Sequence, residues 1–422
     1  MASQAPVKLR FVIAGAGLGG LSASIGLAKA GHEVEIMEQS SQLREVGAGI
    51  QIPPNSTSVL KNLGVLREVE KYAVVPYSIC MHRYSDGEVL SLQNLVPHCG
   101  KEYGSLYLLV HRADFHHILV TAAQAHGVKI RLNSTVKGVD FSKPGIELVS
   151  GEVVEGDVVI AADGLRSRCR EALLGRRDSP ILSGSLTYRV TLDPARLLEH
   201  DDLRDLIEYP EFHCWIGPHS HVVFYPMRVG ELCNLVIVAP DNLQAFEDLA
   251  KANMSEIKDL MKDWEPRIQK LMGMATSTSK WRLQDNVELE RWMSDQGTFT
   301  MLGDACHAMI PYLAQGAAQA VEDAGTLVAL FENLSSKQDI PETLRSYEKL
   351  RKSRTSVLAK ESADFRRLCQ VGDGPEQLAR DKLLHEVPVE GCPNRWADPV
   401  FQKWLWGHNV DDAVRLLKAS DL

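Results

Sequence analysis

One short glycine pattern near the start constrains the fold more than anything else in the chain. Gly15-Ala16-Gly17-Leu18-Gly19-Gly20 follows the apolar run Leu9–Ala14 and opens a stretch of small helix formers that reaches Ala30, just before Gly31. An apolar run ending in glycine reads as a buried parallel strand, and Val34–Met37 reads as the next one. Together they make one βαβ unit. Gly15 permits the tight turn, Gly17 lets backbone approach a pyrophosphate, and Gly20 lets helix and strand pack closely. The phosphate charge then rests on the helix N-terminus. Glu38 ends the second strand 18 residues after Gly20, where a carboxylate accepts hydrogen bonds from ribose hydroxyls. In this setting a chance glycine loop is a poor explanation. The pattern implies a bound dinucleotide but does not by itself separate FAD from NAD.

Two further segments bear on that choice. Ala161-Ala162-Asp163-Gly164-Leu165-Arg166-Ser167 follows an apolar run read as one strand, Val153 to Ala161. Gly303-Asp304-Ala305-Cys306-His307, with Pro311 beyond it, follows Thr298–Leu302. Both place an aspartate at the carboxyl end of a strand, where open α/β sheets bind ligands. Each aspartate alone could equally be a helix N-cap. Their joint appearance with the glycine pattern favours ribose or ribityl hydroxyls as partners, and so FAD.

With these three ordered motifs in hand, the chain resembles the class A flavoprotein aromatic hydroxylases, the para-hydroxybenzoate and salicylate hydroxylase superfamily of fungal type. The resemblance covers nearly the whole chain. It implies that Asp163 serves both FAD and NAD(P)H, and that Asp304 holds the ribityl chain. It implies that Arg112 contacts FAD, and that Arg44 and Gly47-Ala48-Gly49-Ile50 lie beside the ribose and flavin. Locally, a cation at a helix start is disfavoured by the dipole, which a nearby phosphate would explain. Pro311-Tyr312-Leu313-Ala314-Gln315-Gly316 is implied to lie against the isoalloxazine, with Gly316 and Ala317 opening the next helix. One departure is His307-Ala308, where the family commonly has His-Pro. Cys306 reads as a packing residue rather than a covalent flavin attachment.

The resemblance implies a fold of the α/β class: a Rossmann-like FAD-binding domain, an inserted antiparallel β-sheet with helices that holds substrate, and a helical C-terminus. The expected boundaries are 1–180 and 286–370 for the FAD-binding parts, 181–285 for the substrate domain and 371–422 for the tail. Strand-like segments recur at Leu186–Thr191, Cys214–Ile216, Val222–Tyr225 and Leu235–Val238, and helices are expected over Leu243–Met272. The tail after Gly372 is weakly patterned.

In the substrate region, Tyr188-Arg189 and His221-x-x-x-Tyr225-Pro226 resemble the branch in which an arginine and a tyrosine anchor a phenolate or carboxylate. Arg189 and Tyr225 are therefore the candidate catalytic residues. A fixed cation lowers a phenol's pKa and enriches the ring for electrophilic attack. The plain alternative is a cross-strand arginine satisfied by a surface carboxylate. Trp215, Gly217 and Pro218 read as shaping the sheet and its turn.

The implied activity is that of a monooxygenase that consumes NAD(P)H and inserts one oxygen of O₂ into an electron-rich ring through a flavin C4a-hydroperoxide. The absence of a second glycine fingerprint fits a nicotinamide that binds only transiently. An indole or alkene epoxidase of secondary metabolism would use the same flavin site. A flavin halogenase lacks its Trp-x-Trp-x-Ile-Pro signature here, because Trp404-Leu405-Trp406 leads into Gly407-His408. A non-catalytic flavin-binding protein is the alternative from another class.

Composition excludes several other roles. The formal charge of −9 argues against a nucleic-acid binder. Eight cysteines without a C-x-x-C pair read as reduced thiols in a cytoplasmic protein. No window carries metal-ligand spacing, and His116-His117 and His219/His221 read as structural or solvated, so no metal is expected. The apolar run Phe11–Ala30 is broken by glycines and is not a signal peptide. The expected partners are a small aromatic substrate and O₂, with no nucleic acid, no membrane and a homodimer as the possible assembly.

Overall fold

The computed structural model describes residues 5–43, 49–275, 278–332 and 334–420. Arg44, with Gly47 and Ala48, lies outside the described residues.

The strand Arg10–Ala14 is central in a five-stranded sheet ordered Phe299–Met301, Val158–Ala161, Arg10–Ala14, Glu33–Met37, Lys129–Arg131. Every neighbouring pair is parallel, with Ile13 level with Ile160 on one side and Ile36 on the other. Phe11, Val12 and Ile13 are wholly buried, which is why the strand reads as an unbroken apolar run rather than an alternating one. The first helix, Leu18–Lys29, buries ten residues in succession, from Leu18 to Leu27. Such a helix has no polar face to show solvent, and it packs on Arg112–Ala125 and Gly316–Phe331.

The run Val153–Ala161 is two strands, not one. Val153–Glu155 pairs antiparallel with Gly145–Leu148 in a separate three-stranded sheet, and Val158–Ala161 joins the parallel sheet. Gly156 and Asp157 make the break. Asp157 exchanges hydrogen bonds with Arg10: its backbone N–H donates to Arg10 O at 2.7 Å, and its carboxylate accepts from Arg10 N at 2.8 Å. A side chain at Gly156 would collide with Arg10 O. The chain must change sheets where it crosses this edge.

The second large sheet has eight strands, ordered Leu249–Lys251, Ser279–Asp285, Ile181–Leu192, Leu232–Pro240, Ser220–Met227, Phe212–Gly217, Ser78–Arg83, Val89–Asn94. It is antiparallel except where Phe212–Gly217 runs parallel to Ser78–Arg83. Its last two strands come from the first hundred residues, so two distant pieces of chain build one sheet. Helices Met254–Leu260 and Pro266–Met274 follow the short strand Leu249–Lys251, which stands where the sequence pattern implied helix. One face packs its Trp215, Phe224 and Ile237 with these helices. The other faces the long helix Ile340–Cys369 and the tail.

Three helices, Pro375–His385, Pro399–Trp406 and Val410–Ser420, occupy the weakly patterned tail. Each of the first two begins with proline at its first position. Asp398 caps the second by accepting from Val400 N and Phe401 N, both at 3.0 Å. Trp396, Leu405 and Trp406 of this segment are buried in the core shared with Tyr107 and Phe212. Among the described residues, no helix is long and apolar enough to cross a membrane.

Candidate flavin and substrate site

Four loops leave the carboxyl ends of four adjacent parallel strands: Gly15–Gly17, Glu38–Ser40, Ala162–Gly164 and Gly303–Asp304. Three of them line a cleft of about 520 Å³ with Gly15, Gly17, Glu38, Asp163 and His116. Gly15 has φ +99°, and a side chain there would strike the Ala162 carbonyl. A side chain on Gly20 would strike Gly15 O, so that glycine is needed for helix–strand contact. Gly17 is different: a Cβ there meets nothing within 4 Å, because it borders open space. Steric crowding explains two of the three glycines, and an approaching ligand explains the third.

Glu38 accepts from Ala16 N at 2.9 Å and Ser40 N at 2.8 Å. These bonds fix its carboxylate at the cleft and leave lone pairs for a ribose. Asp163 is turned inward instead. It accepts from Ser167 Oγ at 2.6 Å and Cys169 N at 3.1 Å, and burial pushes its carboxyl up against these stabilising bonds. In this arrangement it braces its own loop. Buried His116 donates from Nε2 to Ala16 O at 2.8 Å, propping the glycine turn from behind.

A second cleft, of about 350 Å³, continues from Gly17 and Gly20 to Asp304, Pro311, Gly316 and Ala317. Asp304 is exposed to it and accepts no hydrogen bond from the described residues. The segment Pro311–Leu313 is a 3₁₀ turn closed by Ala314 at φ +57°, a left-handed conformation that a β-carbon disfavours. This strained turn aims the N-terminus of the helix Gly316–Phe331 at the cleft. Ala317 and Ala320 both border the cleft, and Ala320 also packs closely against Gly19 and Gly303. The small residues thus serve helix contact as much as ligand approach.

Behind that helix lies an ionic cluster that the sequence did not reveal. Arg351 Nη1 donates to Glu322 at 2.5 Å and its Nε donates to Asp323 at 2.7 Å. Arg354 Nε reaches Glu322 at 2.8 Å. Asp323 also accepts from Gly303 N at 2.9 Å and from His307 Nε2 at 2.6 Å. Burial opposes ionisation of Glu322, but Arg354 and Arg351 overcome it and hold the carboxyl well below its ordinary range. The loop carrying Asp304 is therefore tied to the long helix, which replaces any restraint lost with the proline absent at Ala308.

A cavity of about 120 Å³ adjoins the second cleft. Gly49, Gln51, Arg189, Tyr225 and Pro311 line both, so they form the common wall. Thr187, Phe212, Cys214, His221, Tyr312, Cys369 and Trp396, with three valines, complete the lining. Strand alternation decides which residues take part. Arg189 lines the cavity, while Tyr188 is buried among the helix-side core and donates its hydroxyl to Glu256 at 2.5 Å. Trp215 likewise belongs to the helix-side core, where it bonds Glu265. Gly217 lies against the Tyr84 ring, which fits its reading as a shaping residue.

Arg189 finds no carboxylate among the described residues. Its guanidinium carbon stands 5.4 Å from the Trp281 ring centre. Burial pushes its pKa down and the Arg112 charge adds to this, with Tyr225 opposing. Arg112, the first residue of its helix, lines the same cleft. Two cations thus face one space. Burial raises the Tyr225 hydroxyl well above its usual range and lowers the His221 imidazole to about 3, so both are neutral at ordinary pH. A side chain at Gly49 would collide with the Tyr225 ring, which explains that glycine.

On the opposite face of the same sheet, Cys80 and His82 of Ser78–Arg83 and His213 of Phe212–Gly217 bring their side-chain ligand atoms within 4.8 Å of one another. They are far apart in sequence, so no window could show the grouping. His82 Nε2 and His213 Nδ1 share a hydrogen bond of 3.0 Å, and His82 Nδ1 bonds Gly87 O at 3.1 Å.

A family model described as an FAD binding domain matches residues 8–362. The chain belongs to this family, and it is an FAD-dependent monooxygenase. It is 35% identical over 409 residues to the FAD-dependent monooxygenase OpS4 of Beauveria bassiana (strain ARSEF 2860), covering 95% of both chains. It is 33% identical over 380 residues to 3-amino-4-hydroxybenzoate 2-monooxygenase PtmB3 of Streptomyces platensis, covering 89% of this chain and 92% of that one. A salicylate hydroxylase substrate complex shares its fold at TM-score 0.79 and 22% identity, covering 97% and 98% of the two chains.

The clefts of this monooxygenase fit FAD on their own chemistry. Gly17 opens on space, Asp304 presents an uncommitted carboxylate, and a helix N-terminus faces the flavin end. Of the sequence-derived candidates, Gly15, Gly17, Glu38 and Asp163 meet in the first cleft. Gly17, Gly20, Gly49, Arg112, Asp304, Pro311, Gly316 and Ala317 meet in the second, with Arg189 and Tyr225 at its inner wall. Arg44 is outside the described residues. Sequence reasoning missed Thr187, Gln51, Cys214, Cys369 and Trp396. Thr187 could have been found, since it stands two residues before Arg189 on one strand and so shares its face.

Proposed function

We propose that this enzyme hydroxylates an electron-rich, anionic aromatic ring, a phenol or salicylate-like acid, with O₂ as oxygen source and NADH or NADPH as transient electron donor. The observation that carries this reading is Arg189: a cation without a carboxylate, in a small cavity that shares its wall with the FAD cleft. A surface arginine satisfied by a carboxylate would have no such reason to be there. The relatives named for hydroxybenzoate oxidation support the reading.

Bound FAD would supply the hydride acceptance and oxygen transfer. Glu38 and the Gly15–Gly17 turn hold its adenosine half, and Asp304 with the Gly316 helix N-terminus holds its flavin half. Arg189 pairs with the substrate's phenolate or carboxylate and stabilises that charge, so the ring is electron-rich where it meets the common wall. Tyr225 lies beside Arg189 as a neutral hydroxyl that orients the same oxygen. His221, kept neutral by burial, lines the cavity as an uncharged imidazole whose Nδ1 accepts from Gln370 Nε2 at 3.3 Å. Phe212, Val223, Val236 and Val238 keep the cavity apolar and exclude water. The eight thiols are free and suit a reducing cytoplasm.

The test follows NAD(P)H consumption over a panel of phenols, salicylates and indoles, with product mass to detect one added oxygen. Substrate-stimulated oxidation with a +16 product from a phenolic acid is expected. No such product from any phenol or salicylate, with turnover of indoles alone, would sink the reading.

A further inference from the structure

The C-terminal segment contributes a side chain to the substrate cavity. Trp396 stands between the helices Pro375–His385 and Pro399–Trp406, far in sequence from every other lining residue except Cys369. It is held from several sides. Its backbone N–H donates to Asn394 Oδ1 at 3.1 Å, and its carbonyl accepts from Gln402 Nε2 at 2.6 Å. Asn394 in turn donates to Ser91 Oγ at 3.0 Å, tying the loop to the edge of the eight-stranded sheet. Arg395 joins Glu361 of the long helix at 2.7 Å and Asp398 at 2.8 Å. The ring meets Phe212 edge-on at 5.4 Å and Phe365 at 4.7 Å. A loop anchored this firmly is a fixed wall, not a passing contact.

Two further observations concern what the wall faces. The cavity measures about 120 Å³. An apolar cavity of roughly 150 Å³ holds one benzene ring, so a single ring fills this space and its substituents reach the wall shared with the second cleft. In addition, Trp396 Nε1 and Thr187 Oγ1 are buried with no hydrogen-bond partner among the described residues, and both belong to cavity-lining residues. An orphaned buried donor is costly, and a bound ligand that supplies an acceptor removes the cost.

Building on the hydroxylase reading above, we propose that Trp396 is the specificity-determining residue of this monooxygenase. Its ring limits substrates to a single aromatic ring. Its indole N–H donates to an oxygen substituent of that ring, with the Thr187 hydroxyl as a second polar contact, while Arg189 takes the anionic group. The substrate class is thus a monocyclic phenolic acid bearing at least two oxygen functions, and the tail is part of the active site.

The experiment compares full-length, FAD-loaded wild type with Trp396→Ala and Trp396→Phe. The probes are salicylate and 3-hydroxybenzoate as one-ring acids and 1-hydroxy-2-naphthoate as a two-ring acid. Product-coupled kcat/KM is measured, with FAD content and melting temperature as controls. Wild type should favour the one-ring probes. Trp396→Ala should raise the two-ring to one-ring ratio by at least about tenfold, the scale on which pocket size discriminates. Trp396→Phe keeps the wall and removes the donor, so the ratio should hold while KM for the one-ring probes rises about tenfold with kcat little changed. Equal use of both ring sizes by wild type, or an unchanged ratio in a folded Trp396→Ala, overturns the size limit. A Trp396→Phe enzyme identical to wild type overturns the hydrogen bond, and Trp396→Leu takes the place of the alanine variant in the ring-size test if that variant does not fold. A wild type inactive on every phenol tested sinks the hydroxylase reading instead and takes this proposal with it.

Discussion

Arg351 and Arg189 are arginines set within the same molecule, and they are treated in opposite ways. Arg351, wholly buried behind the helix Gly316–Phe331, spends its donors on Glu322, Asp323 and Gln319. Arg189, at the common wall of cleft and cavity, meets no carboxylate and lies near a second cation, Arg112. Burying a charge without a partner is unfavourable, so the first arrangement belongs to a framework and the second to a site awaiting an anion. The contrast teaches that satisfaction within the chain, and not burial or residue type, separates structural from ligand-directed charge. By the same measure Asp163, bonded to Ser167 and Cys169, sits nearer the framework, and Asp304 nearer the ligand.

The contrast can be broken most forcefully at the framework. Asp323→Ala should lower unfolding free energy by about 3–5 kcal/mol, because it leaves buried Arg351 Nε unpaired and releases Gly303 and His307. Urea midpoints would show this, and a loss below about 1 kcal/mol would mean the cluster is not the restraint described. Next in size, Arg189→Ala should lower kcat/KM for a phenolic acid by about 10²–10³ while FAD content stays full. Its melting temperature should hold or rise, because an unsatisfied cation is removed. A fall in stability matching that of Asp323→Ala would erase the distinction. Asp304→Ala should weaken FAD by about 10–100-fold, the worth of a charge-assisted hydrogen bond, and purify largely colourless. Normal FAD stoichiometry would remove it from the cofactor site.

The smallest effect concerns pH. The His221 pKa falls from 6.5 to about 3 on folding, because burial disfavours its cation. As pH falls below about 6.5 the unfolded chain takes up the proton and the folded enzyme does not, so stability is lost on acidification. The loss reaches about 1.4 kcal/mol per pH unit for one such group until pH approaches the folded value. His221→Gln should flatten the stability curve between about pH 6 and 4 by up to that amount. His82 and His213, lowered by burial too, contribute a slope of the same sign that remains. An unchanged curve would show that His221 is solvated.

Legibility followed the range of the interactions involved. The glycine turn, Glu38 and the loops of Asp163 and Asp304 were readable because each depends on a few consecutive residues and on a strand end. The strand at Val153–Ala161 was misread because its break is forced by Arg10, from another part of the chain. A helical C-terminus was implied by the resemblance, but its individual helices were not placed although Asp398-Pro399 is a start signal, because the apolar pattern of the tail is weak. The ionic cluster needed residues from two long helices and the segment Gly303–His307, and no local rule brings Glu322 to Arg351.

By itself the sequence determined that the chain builds a parallel nucleotide-binding sheet and where its phosphate turn lies, since backbone sterics and strand polarity act over neighbours. It also named Arg189 and Tyr225 as a pair. Only the tertiary structure decided that Arg189 is left without a carboxylate, that Asp163 bonds inward, and that Trp396 comes from the far end of the chain to wall the cavity. Those outcomes depend on which distant groups arrive within hydrogen-bond reach, and that is set when sheets and helices pack, not when they form.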